Sequence, residues 1–269
     1  MQIPRVWNRK NRILLKELSK TDFKLRYQGS VLGYLWAVIK PLLTFVILYL
    51  VFGKFMRFGD GVPHYPLYLL TGIVLWNFFT ECANQGIQAI VQRGELLRKI
   101  SFPKYIVVLS ATSTALINLG VNIVVIIVFA LFNGIMPSWT WLVALLPILQ
   151  LYILALGVSF LLGAINVKYR DITSIWEVLT QALFYAIPII YPLSMVITNF
   201  PWAAKILLLN PIAQIIQDVR HLVITPTETV WNMIDNWWLK LIPIAITVIL
   251  IIWGALYFRK KSKYFAEEA

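Results

Sequence analysis

The chain has 269 residues, 59% of them hydrophobic and 13% charged, with a formal net charge of +12 and a mean hydropathy of +0.75. A soluble domain carries about 25% charged residues, and a soluble core of this length could not hide so much apolar surface, so that class is excluded. The apolar runs are continuous rather than alternating, which excludes a membrane barrel and leaves an all-α polytopic membrane protein. The positive charge sits at the edges of those runs. It therefore reads as membrane orientation and contact with anionic headgroups, not as nucleic-acid binding.

Residues 1–30 hold eight Lys/Arg, from Arg5 to Arg26. Leu14, Leu18, Thr21 and Leu25 recur at helical spacing, so the segment reads as a basic amphipathic helix lying along the membrane surface, or as a solvated lead-in to the first span. The first apolar run, 31–55, contains Lys40-Pro41. A lysine inside hydrocarbon is expensive. The cheaper geometry keeps Lys40 at headgroup level, with 31–39 entering obliquely and Pro41 opening the hydrocarbon span.

A turn-rich loop follows, and then a second run, 64–91, carries Glu81 near its middle. An intramembrane carboxylate marks either a functional site or a protonated or paired group in a helix bundle. Residues 92–104, QRGELLRKISFPK, form a charged island between apolar runs. Glu95–Ile100 can make a short helix after Gly94, ended by Phe102-Pro103. Further spans are expected at about 105–132, 139–166, 172–193 and 239–258, with a short inner loop at 167–171 and a basic tail at 259–269. Between the last two spans, 194–238 is a long outer connection. Phe200–Leu209 is too short to cross, and Asn210-Pro211 reads as an N-cap and first-turn proline opening a helix. Two short helices that dip in from the outer face and return are expected there.

Six spans return the chain to its starting side. That side holds eighteen of the 24 Lys/Arg; the other holds Lys54, Arg57, Lys205, Arg220 and Lys240, with Lys40 apart. The bias puts both termini in the cytoplasm. Cys82 can make no internal disulfide, and the first twenty residues lack the apolar core of a signal peptide. The chain contains no GxxxxGK[ST] phosphate loop and no GxSxG elbow, and its two histidines and one cysteine make no zinc site. No catalytic residue and no metal site are therefore expected, although an ion-driven secondary carrier or a membrane-embedded glycosyl enzyme stays open as an alternative.

Four stretches in register carry a family resemblance: LRYQGSVLGYLWAVIKPLL (25–43), LLTGIVLWNFFTECANQGIQAIVQRGELLRKISFPK (69–104), NVKYRDI (166–172) and LNPIAQIIQDVRHLVI (209–224). Together they resemble the membrane subunit of type-2 ABC exporters of the polysaccharide, O-antigen and teichoic-acid branch. Lys40 is a departure, since many members of that family carry Asn before the proline. The resemblance implies a homodimer in the bacterial cytoplasmic membrane, paired with two copies of a cytoplasmic P-loop ATPase subunit that binds ATP and Mg. The cargo would be a polymer on a polyprenyl diphosphate lipid. It implies an interface helix at 10–28 and a coupling helix at Gly94–Pro103, with Glu95, Arg98 and Lys99 facing the ATPase. Tyr169, Arg170 and Asp171 would make a further ATPase contact. Outer gate helices would cover 199–224, with Asn210, Pro211, Asp218 and Arg220 as candidates. An anionic diphosphate at the inner headgroups calls for nearby cations; Lys24, Arg26 and Arg170 are candidates for it or for plain topology-setting charge. Trp36, Tyr49, Phe52, Tyr185 and Tyr191 are candidate channel-lining rings, or else packing and lipid-facing aromatics.

Overall fold

A computed structural model describes residues 9–100, 102–224 and 227–265. The first eight residues of the basic segment, Arg5 included, and the last four of the tail lie outside them. Every regular element among the described residues is helical.

Helix α1 is Arg9–Tyr27. A single 3-10 turn, Gly33–Leu35, leads into α2, Trp36–Leu48, which continues as π-helical turns to Phe55. Then come α3 (Tyr65–Gln92), α4 (Gly94–Lys99) and α5 (Tyr105–Phe132). Next are α6 (Trp139–Val143), α7 (Leu145–Asn166) and α8 (Ile172–Ala186). The connection after α8 folds into α9 (Leu193–Asn199), α10 (Pro201–Leu209), α11 (Pro211–Val223) and two single turns, α12 (Val230–Met233) and α13 (Trp237–Lys240). Helix α14 is Ile242–Lys261.

Among the described residues, four helical runs are long and apolar enough to cross a membrane: Gly33–Phe55, Tyr105–Phe132, Trp139–Asn166 and Ile242–Lys261. Helix α3, at 28 residues, is equally long, but polar side chains dilute its hydropathy. The expected span at 172–193 departs further. Its helix stops after 15 residues, about 22 Å at 1.5 Å per residue and short of a hydrocarbon core of about 30 Å. Ile187 turns extended, ahead of Pro188, because the residue before a proline is driven out of the helical region.

The core is built around α3, which packs on α5 and α7, while α14 packs on α7. The α7–α14 contact is set by two glycines. A Cβ on Gly254 would collide with the Gly157 carbonyl oxygen, and one on Gly157 would meet the Ile251 nitrogen at 2.8 Å. In lipid, such backbone approach replaces the hydrophobic effect as the source of helix association.

Two helix interruptions free backbone carbonyls, and both are satisfied by side chains from other helices. Pro41 lies inside α2 rather than opening it, so the Ala37 carbonyl loses its usual donor; Asn122 Nδ2 of α5 takes that place at 3.0 Å. Beyond α8, Arg220 Nη1 donates to the Pro188 carbonyl at 2.6 Å and Nη2 to that of Ile189 at 2.9 Å. Tyr65 Oη donates to the Ile190 carbonyl at 2.7 Å. Arg220 Nε reaches the Tyr68 carbonyl at 3.0 Å, and the guanidinium lies 3.4 Å from the Tyr68 ring centroid. This arginine is fully buried. Burial lowers it to about 10, which leaves it charged at neutral pH. It needs Gly72 opposite, where a Cβ would collide with Nη2.

Arg220→Met should therefore lower the thermal midpoint of the purified protein in detergent sharply, the loss being on the order of 3 kcal/mol or more when charge-assisted bonds to three carbonyls vanish. Arg220→Lys should not restore it, because an ammonium cannot reproduce the planar fork. Asn122→Leu should lower the midpoint by a smaller step, roughly 1–2 kcal/mol, for a single orphaned carbonyl.

Candidate functional site: a polar groove at the basic end of the bundle

One end of the bundle gathers most of the positive charge. Leu97 of α4, Val107 of α5, Val167 after α7 and Phe258 of α14 share one apolar cluster. Lys104 Nζ donates to the Ser262 carbonyl at 2.5 Å, tying the start of α5 to the end of α14. Helix α1 lies along α5 at this end. Its half-buried stripe contains Leu14, Leu15, Leu18, Asp22 and Phe23. The expected stripe of Leu14, Leu18, Thr21 and Leu25 is thus correct in its first half only. Thr21 and Leu25 are exposed, while Asp22 turns inward to an ion pair.

That pair is with Arg93, which precedes α4. Arg93 Nη1 also donates to Ser110 Oγ of α5 at 2.7 Å. A single guanidinium therefore joins α1, the start of α4 and α5. A second pair, Arg26 Nη1 to Glu81 Oε1 at 2.5 Å, joins α1 to α3. Asn118 Nδ2 and Gln85 Nε2 donate to the same oxygen at 2.6 and 3.1 Å. The Glu81 carboxylate, open in sequence between a functional and a paired group, is held by a guanidinium and two amides.

Both pairs lie on the wall of a cavity of about 830 Å³ bounded by α1, α2, α3 and α5. Along α3 its lining runs from Val74 to Arg93, about 28 Å. Asn77, Glu81, Asn84, Gln88 and Gln92 occupy that wall in steps of three and four. Thr114, Asn118 and Asn122 of α5 face them one turn apart. Carboxamides and hydroxyls both donate and accept hydrogen bonds, which is the chemistry that matches a hydroxyl-rich ligand.

Two further contacts brace the surroundings. Trp176 Nε1 donates to Asn84 Oδ1 at 2.8 Å, anchoring α8 to α3. Asn166 Nδ2 donates to the Ile87 carbonyl at 3.1 Å, anchoring the end of α7 to α3 just before the 168–171 loop.

A family model described as ABC-2 type transporter matches residues 13–224. The chain belongs to the ABC-2 transporter membrane family. It is 31% identical over 256 residues to an O-antigen export system permease protein, RfbA, of Klebsiella pneumoniae, covering 94% of each chain. It is 33% identical over 204 residues to the RfbA of Myxococcus xanthus, covering 75% of this chain and 76% of that one. It is 22% identical over 213 residues to the polysialic acid transport protein KpsM of Escherichia coli, covering 79% and 81% respectively. The ABC-2 chain is thus an integral membrane subunit of a transporter.

The candidate residues of this ABC-2 chain fall in three places. Glu95, Arg98 and Lys99 form the exposed face of α4, with Lys99 and Glu95 paired at 3.1 Å and Leu97 buried beneath. Tyr169, Arg170 and Asp171 are exposed on the loop after α7. Of the remaining candidates, Arg26 and Trp36 line the groove and Lys24, Arg170, Tyr49, Phe52, Tyr185 and Tyr191 do not. Tyr49 stacks on Phe45 at 5.7 Å, and Phe52 lies against Phe58 at 5.6 Å. Tyr185 is exposed against Phe184, and Tyr191 Oη donates to the Ala186 carbonyl at 2.6 Å.

Among the outer candidates, Asn210 caps α11, accepting from the Ile212 nitrogen at 2.9 Å, with Pro211 at its first position. Arg220 is the buried joint described above. Asp218 is buried beside Gln214, whose Nε2 donates to its Oδ2.

Sequence reasoning did not see the amide stripe on α3 or the Asp22–Arg93 tie. The stripe was present as a four-residue period of Asn, Gln and Glu inside an apolar run. The tie joins residues 71 apart in sequence and leaves no local signal.

Burial raises the Asp218 carboxyl to about 6. Its protonated form therefore favours the fold, and stability should fall as pH rises from about 4 to about 6, by an amount on the order of 2–3 kcal/mol. Asp218→Asn should flatten that segment of the pH–stability curve measured by thermal unfolding in detergent.

Proposed function

We propose that this ABC-2 chain is the permease subunit of an ATP-driven exporter moving a lipid-linked polysaccharide of the O-antigen type outward across the bacterial cytoplasmic membrane. It works as a homodimer with two copies of a cytoplasmic P-loop ATPase, which binds the ATP and Mg. The basic end of the bundle faces the cytoplasm, in line with the Lys/Arg bias. The chain crosses six times, α3 making the second pass and α8 with the non-helical residues 187–191 making the fifth. The irregular stretch is tolerated because Arg220 and Tyr65 satisfy it.

The observation that carries this reading is that Asp22 and Arg93 are at once the tie between α1 and the start of α4 and part of the groove wall. A push on the exposed face of α4 reaches Arg93 first. Through Asp22 and Ser110 it reaches α1 and α5, which bound the groove. ATP-driven closure of the partner then biases the groove between two arrangements, the requirement for alternating access. Names of relatives support the cargo class: proteins that share most of this chain's length are O-antigen export permeases.

The purified chain alone should hydrolyse no ATP, and co-expression with its P-loop partner should yield a two-plus-two complex that does. Reversing both charges at Arg98 and Lys99 should leave ATP hydrolysis measurable and abolish ATP-dependent glycan export in proteoliposomes. Export at the normal rate in that double variant would refute the coupling role of α4. Asp22→Arg and Arg93→Asp should each lose most export, and combining them should restore part of it. Transport driven by an ion gradient with no ATPase would overturn the exporter reading itself.

A further inference from the structure

Five ionisable side chains line the groove: Asp22, Arg26, Lys40, Glu81 and Arg93. Asp22 is engaged by Arg93 and Glu81 by Arg26, so two carboxylates are matched against three cations. The extra cation is Lys40. Among the described residues its ammonium has no hydrogen-bond or ion-pair partner, and it is carried by an otherwise apolar α2. A groove wall with one uncompensated cation draws an anion.

The anion's seat is already built. A guanidinium and two carboxamides, from Arg26, Gln85 and Asn118, converge on one carboxylate oxygen of Glu81 within 2.5–3.1 Å. The same donor set suits a phosphate oxygen. On either side of Glu81 along α3, Asn77 and Asn84 continue the wall with groups suited to sugar hydroxyls.

We propose that this corner of the groove binds the phosphate-bearing headgroup of the lipid-linked cargo, and that Glu81 is a built-in counter-ion competing with that headgroup for Arg26. This rests on the transport reading above and assigns its loading site. Before loading, Glu81 keeps the donors ordered and the charge matched. The incoming phosphate is drawn by Lys40, takes over the donors of Arg26, Gln85 and Asn118, and releases α1 from its tie to α3. Loading is thereby linked to the position of the interface helix.

The test compares variants of the permease–ATPase complex in phosphatidylcholine nanodiscs, using geranylgeranyl diphosphate as the probe and geranylgeraniol as its uncharged control. Glu81→Gln keeps the shape of the side chain and removes its charge. It should tighten diphosphate binding about tenfold, while Lys40→Gln and Arg26→Gln weaken it about tenfold and Lys40→Arg retains it. The alcohol should bind all variants alike. A merely structural Glu81 predicts the opposite sign, so weaker diphosphate binding by Glu81→Gln overturns the counter-ion role. Phosphatidylglycerol supplies the alternative phosphate source. If it displaces the probe at equal concentration, the corner holds bulk phospholipid and the cargo assignment is overturned. ATP-driven export by the wild-type complex in proteoliposomes is scored separately. Export alongside diphosphate binding that is flat across the variants overturns this site and leaves the transport reading standing.

Discussion

Inside lipid, a carbonyl freed from a helix has no water to turn to, and the architecture of this protein follows from how it meets that constraint. Arg220 is the main instrument. Its fork spans the non-helical residues after α8 and the first turns of α3, so a break that would be unaffordable in isolation becomes a joint. The connection 194–238 is therefore part of the core: α11 carries the arginine inward, and Asn210 with Pro211 sets where α11 begins. Asn122 does the same service at Pro41 on a smaller scale. In each case an interruption in one helix is paired with a polar side chain on another, which specifies tertiary arrangement as well as satisfying the backbone.

The helical class, the positions of the long apolar runs, the short helix at 94–99 and the start of α11 were legible in sequence, because each rests on a local pattern: hydropathy, a capping residue or a proline. What was not legible depends on partners distant in sequence. Arg220 reads as an outer charge until the carbonyls of Pro188 and Ile189 are placed around it. The inward stripe of α1 shifts at Asp22 because an ion pair outbids the leucine pattern. Of the aromatic candidates, Tyr49 and Phe52 pack on neighbouring rings within the chain, while the polar part of the groove wall is mostly carboxamides. Composition favours rings as sugar platforms; the packing of α1, α2, α3 and α5 favours carboxamides, and only the assembled helices show that their stripes coincide.

The groove and the exposed charged face of α4 meet in a short stretch of chain. Between Gln88 and Lys99, α3 ends, Arg93 ties three elements together, and α4 exposes its charges above a buried Leu97. The wall that would touch cargo and the surface offered to a partner are thus separated by a few residues of stiff backbone rather than by a flexible linker.

The glycine contact between α7 and α14 has a mechanical consequence. With Gly254 seated against the Gly157 carbonyl, neither helix can turn about its axis without driving one backbone into the other, so the two behave as one thick strut. Helices α2 and α8 contain no glycine, are held by side-chain hydrogen bonds instead, and carry exposed outer residues such as Ile47, Val178 and Tyr185. The polar groove is lined by α1, α2, α3 and α5 and by no residue of this strut.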